Sequence, residues 1–419
     1  VDANVVINAR IKEELALGKS TGSAIKTGYQ KALSAIIDGN VTTLIAAAVL
    51  AMKGSGTVKG FAYTLAIGIL LSMFTSLVVT RYSMYAIHAI GFKDVKYYGS
   101  AKEHKVIDFL SKRYVFFFLS VAAIAVGFAA EGLNAGSGNG AFNYSLEFVG
   151  GTSTTIDLGK NYELAEIDSE IVPLINEALD SSEVQVQKIA DSTQVVFKTR
   201  NLELSEREAF AKIFEDNYSV ESSAISYQNV SETISKEMTS DAVWAVLIAV
   251  ILMLIYIWFR FSDFRFASSA IIALVHDILV VLTCYALLRI TVGSTFIAVM
   301  LTILGYSIND TIVTFDRIRE NMKSRPRVTQ SELAEIANRS ITQTLSRSIN
   351  TSITTFVIVL LLYIFGVTSI RDFALPLMVG VVSGTYSSIC IATELWYEMK
   401  IRQKSTAEVK KGSRAKKTA

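Results

Sequence analysis

The stretch VGSTFIAVMLTILGYSINDTIVTF, Val292–Phe315, decides the fold of this chain, because it is long and apolar enough to cross a bilayer and yet carries Asp310. A second stretch of this kind, SITQTLSRSINTSITTFVIVLLLYIF over Ser340–Phe365, carries Arg347. A charge in the hydrocarbon core costs roughly 2.5–3.5 kcal/mol on insertion scales, so such residues usually mark an ion or proton pathway. Measured from the basic residues that flank the two stretches, both charges lie about 10–12 Å inside the membrane at about 1.5 Å per residue. The two helices are consecutive and antiparallel, so we expect this acid and this base to meet.

The composition indicates a polytopic α-helical membrane protein. The chain has 419 residues, of which 51% are hydrophobic and only 3 are proline, and this is too apolar for an ordinary soluble protein. Runs long enough to span a bilayer are 30–52, 58–88, 113–133, 239–260, 264–288, 292–315, 340–365 and 371–397. A ninth span, cut off at Val1, is expected to end near Ala9. Because the chain begins inside a pattern that later recurs, we expect it to be the C-terminal part of a longer protein.

Basic residues predict the orientation of these spans. Lysines and arginines cluster in alternate loops and in the C-terminal tail, and the other loops carry few cations. The positive-inside rule therefore places the basic loops and the C-terminus in the cytoplasm. The two cysteines lie in apolar spans and the three histidines form no cluster, so we expect neither a disulfide nor a metal site. With no nucleotide-binding motif present, we expect no cofactor, no nucleic-acid partner and no enzymatic activity.

One long segment, 134–236, is predicted to lie outside the membrane on the extracytoplasmic side. Strands are expected near Asn143–Leu158, Val184–Ile189, Gln194–Thr199 and Ala224–Gln228. Helices are expected near Glu163–Leu179 and Ser205–Asn217, the second with Ser205 as its N-cap. The order βαββαβ is that of a ferredoxin-like α+β domain. Gly150-Gly151 is expected to mark a bend.

The spans contain an internal repeat. The segment 2–13 resembles 309–320, 33–43 resembles 345–355, and 57–62 resembles 369–374. The copies run in the same direction through the membrane, which predicts a pseudo-symmetric bundle of two parallel repeats, a pattern typical of transporters. The charges are divided between the copies, because Arg347 aligns with Ala35 and Asp38 aligns with Asn350.

The motifs VDANVVINARIKEEL, EFVGG, ALVHD, INDTIVTFDRIREN and RDFALPLMVG together resemble the SecD–SecF family of bacterial protein-export membrane proteins. The resemblance covers the chain from Val1 to about Met399 and implies an RND-type helix bundle with the ferredoxin-like domain outside. It implies a SecD-like transmembrane part at 1–105, a first SecF-like span at 106–133, the outer domain at 134–236, five further spans at 237–400 and a basic cytoplasmic tail at 401–419. Glu147 departs from the aspartate that is common in the family, but it keeps the charge.

The resemblance also implies a function. It predicts a subunit that uses the proton motive force in the bacterial cytoplasmic membrane, with the SecYEG translocon, YajC, YidC, the translocating preprotein and membrane lipid as partners. The proton-relay residues carried over by position are Asp2, Asp310, Arg347 and Asp372. Sodium stays open as the coupling ion, and an RND-type exporter of lipid or small molecules and a passive translocon scaffold stay open as alternative functions.

Several polar residues in the spans allow either a relay role or a packing role. These residues are Asp38, His276, Asp277 and Asn309, and for each of them a hydrogen bond between helices explains the residue as well as proton transfer does. Asp310 and Arg347 have a structural alternative of their own, in which the ion pair only orders two helices.

Overall fold

The computed structural model describes residues 2–54, 56–99, 105–137, 140–163, 166–179, 184–189, 192–323, 328–366 and 368–402. The predicted tail therefore lies outside the described residues beyond Arg402. The chain divides into two compact units. A helical unit comprises Val1–Asn143, Trp244–Ile290 and Thr295–Ala419, and an α/β unit comprises Tyr144–Val243 and Thr291–Ser294.

Long helices dominate the fold, and eight of those within the described residues are long and apolar enough to cross a membrane. The prediction of a multi-span helical membrane protein is therefore confirmed. The helices are α1 Asp2–Ala16, α2 Thr21–Lys53, α3 Gly56–Phe74, α4 Thr80–Ile90, α5 Arg113–Gly136, α6 Leu146–Val149, α7 Val172–Leu179, α8 Leu204–Tyr218, α9 Glu232–Phe261, α10 Phe264–Leu288, α11 Ser294–Lys323, α12 Gln330–Phe365, α13 Thr368–Ser387 and α14 393–402. Segments of π-helix, Thr75–Val79 and Ser388–Ala392, join α3 to α4 and α13 to α14.

Local signals fix where two of these helices begin. Thr329 precedes α12 and forms a capping box with Glu332, in which each side chain bonds the backbone N–H of the other residue. Asp263 precedes α10, and its carboxylate accepts a hydrogen bond from the backbone N–H of Arg265 at 3.0 Å. Both caps satisfy backbone donors that a helix start leaves without intrahelical partners.

Reciprocal contacts relate the two repeats. Arg10 and Glu13 in the first copy align with Arg317 and Glu320 in the second. Arg10 Nη1 lies 3.0 Å from Glu320 Oε2, and the Arg317 guanidinium pairs in return with the Glu13 carboxylate. Such an exchange, in which i contacts j and j contacts i, is the mark of a two-fold relation. We refer to the end of the bundle with these four residues as the basic end.

The opposite end of the bundle carries a second symmetric contact. The rings of Phe61 and Phe373, which align in the repeat, meet edge to face with centroids 5.5 Å apart. Together the two contacts place the pseudo-two-fold axis between the copies at both ends of the bundle, as the sequence repeat predicts.

Small residues allow the helices of the two repeats to cross closely. A Cβ at Gly39 of α2 would stand 1.9 Å from the side-chain oxygen of Asn309 in α11, and a Cβ at Gly305 would stand 2.9 Å from a methyl carbon of Thr43. The Thr43 hydroxyl also donates to the Gly305 carbonyl at 3.2 Å. Glycine is therefore required here by contact with the facing helix, as in other tightly packed membrane bundles.

The α/β unit contains a four-stranded antiparallel sheet in the order β3-β4-β2-β5. The strands are β2 Gly151–Asp157, β3 Gln185–Lys188, β4 Gln194–Thr199 and β5 Ile225–Val230, and two short strands, β1 Asn143–Tyr144 and β6 Thr291–Val292, lie outside this sheet. The two helices α7 and α8 pack on the sheet through a core in which Phe197, Phe210 and Phe214 are fully buried. This arrangement of strands and helices is the ferredoxin-like order that the sequence predicts.

Two local predictions in this unit are wrong. The single strand expected over Asn143–Leu158 is interrupted by α6, and the backbone then turns at Gly150 and Gly151, whose φ angles are 82° and 120°. A Cβ at Gly151 would stand 2.3 Å from the Thr199 carbonyl oxygen, so the expected bend requires glycine there. The N-cap of α8 is Glu203 and not Ser205, because Glu203 and Glu206 form a capping box that places the cap two residues earlier.

We expect acid to weaken the α/β unit through Glu206. This carboxylate accepts two hydrogen bonds from the Arg200 guanidinium and one from the backbone N–H of Glu203 at 2.8 Å. These contacts, the Arg200 bonds first, lower the pKa of Glu206 to about 2. A depressed folded-state pKa stabilises the fold above the unfolded-state value of about 4.3, and this stabilisation is lost as the pH falls toward 2.

The variant Glu206→Gln should therefore show a smaller acid dependence of stability between pH 4.5 and 2 than the original chain. Hydrogen–deuterium exchange of peptides from β2, β4 and α8 in the whole protein, corrected for the intrinsic pH dependence of exchange, measures this difference. Glu208→Gln changes an exposed acid of the same helix and is the matched control. An unchanged acid dependence in Glu206→Gln would rule out this role.

Candidate functional site

Asp310 and Arg347 are both buried and lie at the same depth of the helical unit. Asp310 of α11 is 4% exposed and Arg347 of α12 is 8% exposed. The depth is fixed by two hydrogen bonds between these helices, from Tyr306 Oη to Ser352 Oγ at 3.4 Å and between the hydroxyls of Thr314 and Thr344, also at 3.4 Å. Each charged residue lies between these two contacts, about one helical turn from either. The juxtaposition expected from the sequence is therefore supported by the register of α11 against α12.

The helix with Asp310 also packs against the first repeat. Its neighbour Asn309 fills the space that Gly39 leaves open on α2, and Val313, one turn later, packs with the apolar cluster of α1 and α2. Asp310 is thus held where α11 meets both α12 of its own copy and the helices of the other copy. A relative movement of the two copies would act directly on the surroundings of this acid.

A small cavity leads from Arg347 toward the basic end of the bundle. Its volume is about 30 Å³, and Arg347, Ala35 and Val313 line it together with Glu13 and Arg317. One water molecule needs a probe-filled volume of roughly 10–15 Å³, so the cavity is large enough for about two. The Arg347 site therefore adjoins a small polar space that ends at the reciprocal ion pairs.

Asp38 forms an ion pair between helices. Its carboxylate lies 2.6 Å from Nε of Arg260 and accepts hydrogen bonds from the hydroxyls of Tyr256 at 2.8 Å and Ser34 at 3.2 Å. Arg260 and Tyr256 belong to α9, so the contact ties α2 to that helix. The sequence allows either a packing role or a relay role for Asp38. These contacts are those expected of the packing role.

Asp277 is the centre of the most completely bonded polar cluster within the described spans. It has no exposed surface, and its carboxyl oxygens accept hydrogen bonds from Ser307 and Ser383 at 2.6 Å and from Ser387 at 2.7 Å. His276 Nδ1 lies 3.1 Å from the same carboxyl group. Asp277 therefore joins α10, α11 and α13, and Ser307 stands three residues before Asp310.

The two remaining relay candidates from the sequence are Asp372 and Asp2. Asp372 is exposed in the second turn of α13. The hydroxyls of Thr311 and Ser388 bond at 2.8 Å and set the register of the last span against α11. On that register Asp372 lies about 22 Å from Asp310 along the helix axis, at about 1.5 Å per residue. The side chain of Asp2 lies outside the described residues.

Several polar partners were not predicted as site residues. Arg260 ends the predicted span 239–260 and is not among the sequence candidates, and the serines that bond Asp277 follow no motif because they come from other helices. Glu394 was also missed, although an acid within the apolar run SSICIATELWY is itself a signal.

Two parallel, symmetry-related sets of helices with buried charges between them define the class of this protein, the RND-type helix bundle. The comparisons agree, because the MMPL family profile matches residues 1–87 and the profile of "Protein export membrane protein SecD/SecF, C-terminal" matches residues 209–402. The chain is 35% identical to protein translocase subunit SecF of Petrotoga mobilis, of which it covers 98%. The chain belongs to the SecD/SecF family.

The fused relatives are similar along nearly the whole chain. The chain is 36% identical to protein translocase subunit SecDF of Bacillus subtilis over 96% of its own length and 56% of that protein. The crystal structure of SecDF from Thermus thermophilus, a translocon-associated membrane protein, superposes with a TM-score of 0.81 at 35% identity and covers 96% of the chain. The chain thus spans about half the length of the SecDF relatives that it matches.

Proposed function

We propose that this chain is part of a proton-driven accessory subunit that promotes Sec-dependent export of polypeptides across the bacterial cytoplasmic membrane. The observation that carries the proposal is the matched depth of the buried Asp310 and Arg347 at the contact of the two repeats. The similarity to named translocase subunits supplies the process. The proposed partners are SecYEG, YajC and YidC, the translocating preprotein and membrane lipid. The basic end and the C-terminus are proposed to face the cytoplasm, and the α/β unit the other side.

The proposed coupling rests on the chemistry of one acid and one base. Arg347 keeps its proton at any physiological pH, so its guanidinium favours the ionised form of Asp310 when the two are close. If the repeats move and the guanidinium withdraws, burial favours the neutral acid, and Asp310 takes up a proton. Proton binding is thereby linked to conformation. Each proton that crosses supplies about 2.3 kcal/mol per 100 mV, so a few protons suffice to drive a domain movement.

Asp2 and Asp372 are the other proposed members of the relay. Asp2 aligns with Asn309 in the repeat, which would place it in the first copy near the equivalent of Asp310. Asp372 is proposed as an entry residue because it is exposed near the end of α13 that is remote from the basic end. Sodium is the alternative coupling ion, since carboxylates and hydroxyls suit either cation.

The proposal is tested by preprotein export into inverted membrane vesicles that contain or lack the protein. We expect the protein to increase export when a proton gradient is imposed and to give little increase when the gradient is collapsed. An equal increase under both conditions would favour a passive scaffold over coupling. Gradient-driven movement of lipid or a small molecule without any effect on preprotein would favour an RND-type exporter.

A further inference from the structure

A second buried acid, Glu394, lies in the last span away from the Asp310 site. Its side chain has no exposed surface, and among the described residues no hydrogen bond or ion pair with another residue reaches either carboxyl oxygen. It stands at the start of α14, directly after the π-helical segment Ser388–Ala392. Segments of π-helix inside longer helices occur frequently at functional sites.

The surroundings of Glu394 are apolar on the side of the preceding turn. Cys390, one turn before it, packs in a cluster with Ile341 and Ile389, against which Phe109, Phe116, Leu345 and Tyr386 also pack. Among the described residues, the charged or titratable groups that act on Glu394 from the packed elements are Arg113, Cys390 and Tyr386. The only permanent cation among these three is Arg113.

Arg113 is engaged elsewhere in this conformation. Its Nε lies 2.6 Å from Oε1 of Glu398, and its Nη1 donates to the Leu110 carbonyl at 2.9 Å. Glu398 follows Glu394 by four residues on the same helix, so the two acids stand on one face, about 5–6 Å apart at their Cβ atoms. One arginine is therefore within reach of two acids, and it pairs with the more exposed of them.

The free energy of burial decides the protonation state of Glu394. An ionised carboxylate without a partner costs several kcal/mol when it is buried, whereas the neutral acid avoids most of this cost. The guanidinium that would offset the negative charge is held by Glu398. The neutral, protonated acid is therefore the form that fits this conformation.

Glu394 lies between the depth of Asp310 and the basic end of the bundle. The hydrogen bond between Ser388 and Thr311 fixes the register, and Thr311 is the residue next to Asp310. Glu394 follows Ser388 by six residues, which is about 9 Å nearer the basic end at about 1.5 Å per residue. A proton that travels from the depth of Asp310 toward the basic end therefore passes the level of Glu394.

We propose that Glu394 is a second proton-binding site of this chain, controlled by the exchange of Arg113 between Glu398 and Glu394. In the conformation described, Glu394 carries a proton and Arg113 pairs with Glu398. When the guanidinium moves to Glu394, the O–H bond of that acid breaks, its proton passes to water at the basic end, and the carboxylate formed pairs with Arg113. The reverse exchange restores the protonated acid. Glu394 titrates in this way whether or not the protein promotes export.

Infrared spectroscopy of the whole protein in lipid tests the proposal. The carbonyl stretch of a protonated carboxyl group absorbs apart from that of a carboxylate, so the difference between the original chain and Glu394→Gln isolates this group. At neutral pH we expect Glu394→Gln to lose one protonated-carboxyl band, while the control Glu320→Gln, which changes a partly exposed acid of another helix, keeps it. A Glu394→Gln spectrum with no loss in this region would overturn the proposal.

Two further variants test the control by Arg113. Arg113→Met removes the cation, and we expect the Glu394 band to persist to higher pH than in the original chain. Glu398→Gln releases Arg113 toward Glu394, and we expect the band to disappear at lower pH. A midpoint that is the same in all three proteins would show that Arg113 does not control this site.

Discussion

Replacing Asp310 by asparagine is expected to abolish the gradient-dependent part of export while leaving the protein folded. Asparagine fills nearly the same volume and can still form hydrogen bonds, but it cannot bind or release a proton. With no proton bound, the membrane potential performs no work at this site, and the roughly 2.3 kcal/mol per proton per 100 mV is lost. Export with the imposed gradient should therefore fall to the level seen without it.

The matched control for this change is Glu320→Gln. It also exchanges an acid for its amide on α11, but at the basic end, where the side chain is 41% exposed. Gradient-dependent export should persist in this variant. Export by Asp310→Asn that still rises with the gradient, as in the original chain, would exclude Asp310 as the coupling acid.

The largest loss of stability is expected for Asp277→Leu. This change removes the acceptor of three serine hydroxyls in a packed interior, and leucine places an apolar side chain of larger volume among them. Hydrogen bonds to charged groups contribute about 1.5–3 kcal/mol in soluble proteins, while side-chain hydrogen bonds between membrane helices average about 0.6 kcal/mol. For three bonds we expect a loss of about 2–4 kcal/mol in the free energy of unfolding.

This change is measured by thermal unfolding in detergent, in which the fraction of protein that stays monodisperse is monitored as the temperature rises. Ser383→Ala removes a single donor and leaves the acid with its other partners, so it should lower the unfolding temperature by much less. If Asp277→Leu were as stable as Ser383→Ala, the cluster would not hold the three helices together.

The sequence predicts the large features of this fold because they depend on local composition and on repetition. Eight apolar runs predict eight spans, and the alignment of Arg10 with Arg317 predicts a two-fold relation that appears as reciprocal pairs with Glu320 and Glu13. The burial and common depth of Asp310 and Arg347 also follow from the lengths of the spans. In each case the information lies in hydrophobic pattern and spacing.

Partners that come from distant parts of the chain are not predicted in this way. The serines that bond Asp277 are 30, 106 and 110 residues away from it, and no periodicity connects them. Arg260 is the last residue of the predicted span 239–260, and nothing in the sequence pairs it with Asp38, to which its side chain bonds. The strand expected over Asn143–Leu158 is interrupted by α6, and the turn that follows requires glycine because Gly151 closely approaches the Thr199 carbonyl of the neighbouring strand.

The first residue of a helix is also hard to predict when two nearby residues are both able to serve as its N-cap. Ser205 and Glu203 are both able to accept backbone hydrogen bonds at the start of α8, and serine is the more usual N-cap. Glu203 prevails because it can form the reciprocal box with Glu206, which in turn pairs with Arg200. The three-residue spacing of these acids is visible in the sequence, but the ion pair of Glu206 with Arg200, six residues earlier, depends on the fold of the loop before α8.

The most direct measurement of the central claim is proton flux into liposomes that contain the whole protein, followed with an internal pH-sensitive dye under an imposed gradient. We predict measurable flux with the original chain and with Glu320→Gln, and none above empty liposomes with Asp310→Asn or with Arg347→Met. Arg347→Met is informative because it leaves the acid in place but removes the cation that favours its ionised form. Flux in both Asp310→Asn and Arg347→Met equal to that of the original chain would contradict proton coupling through this pair.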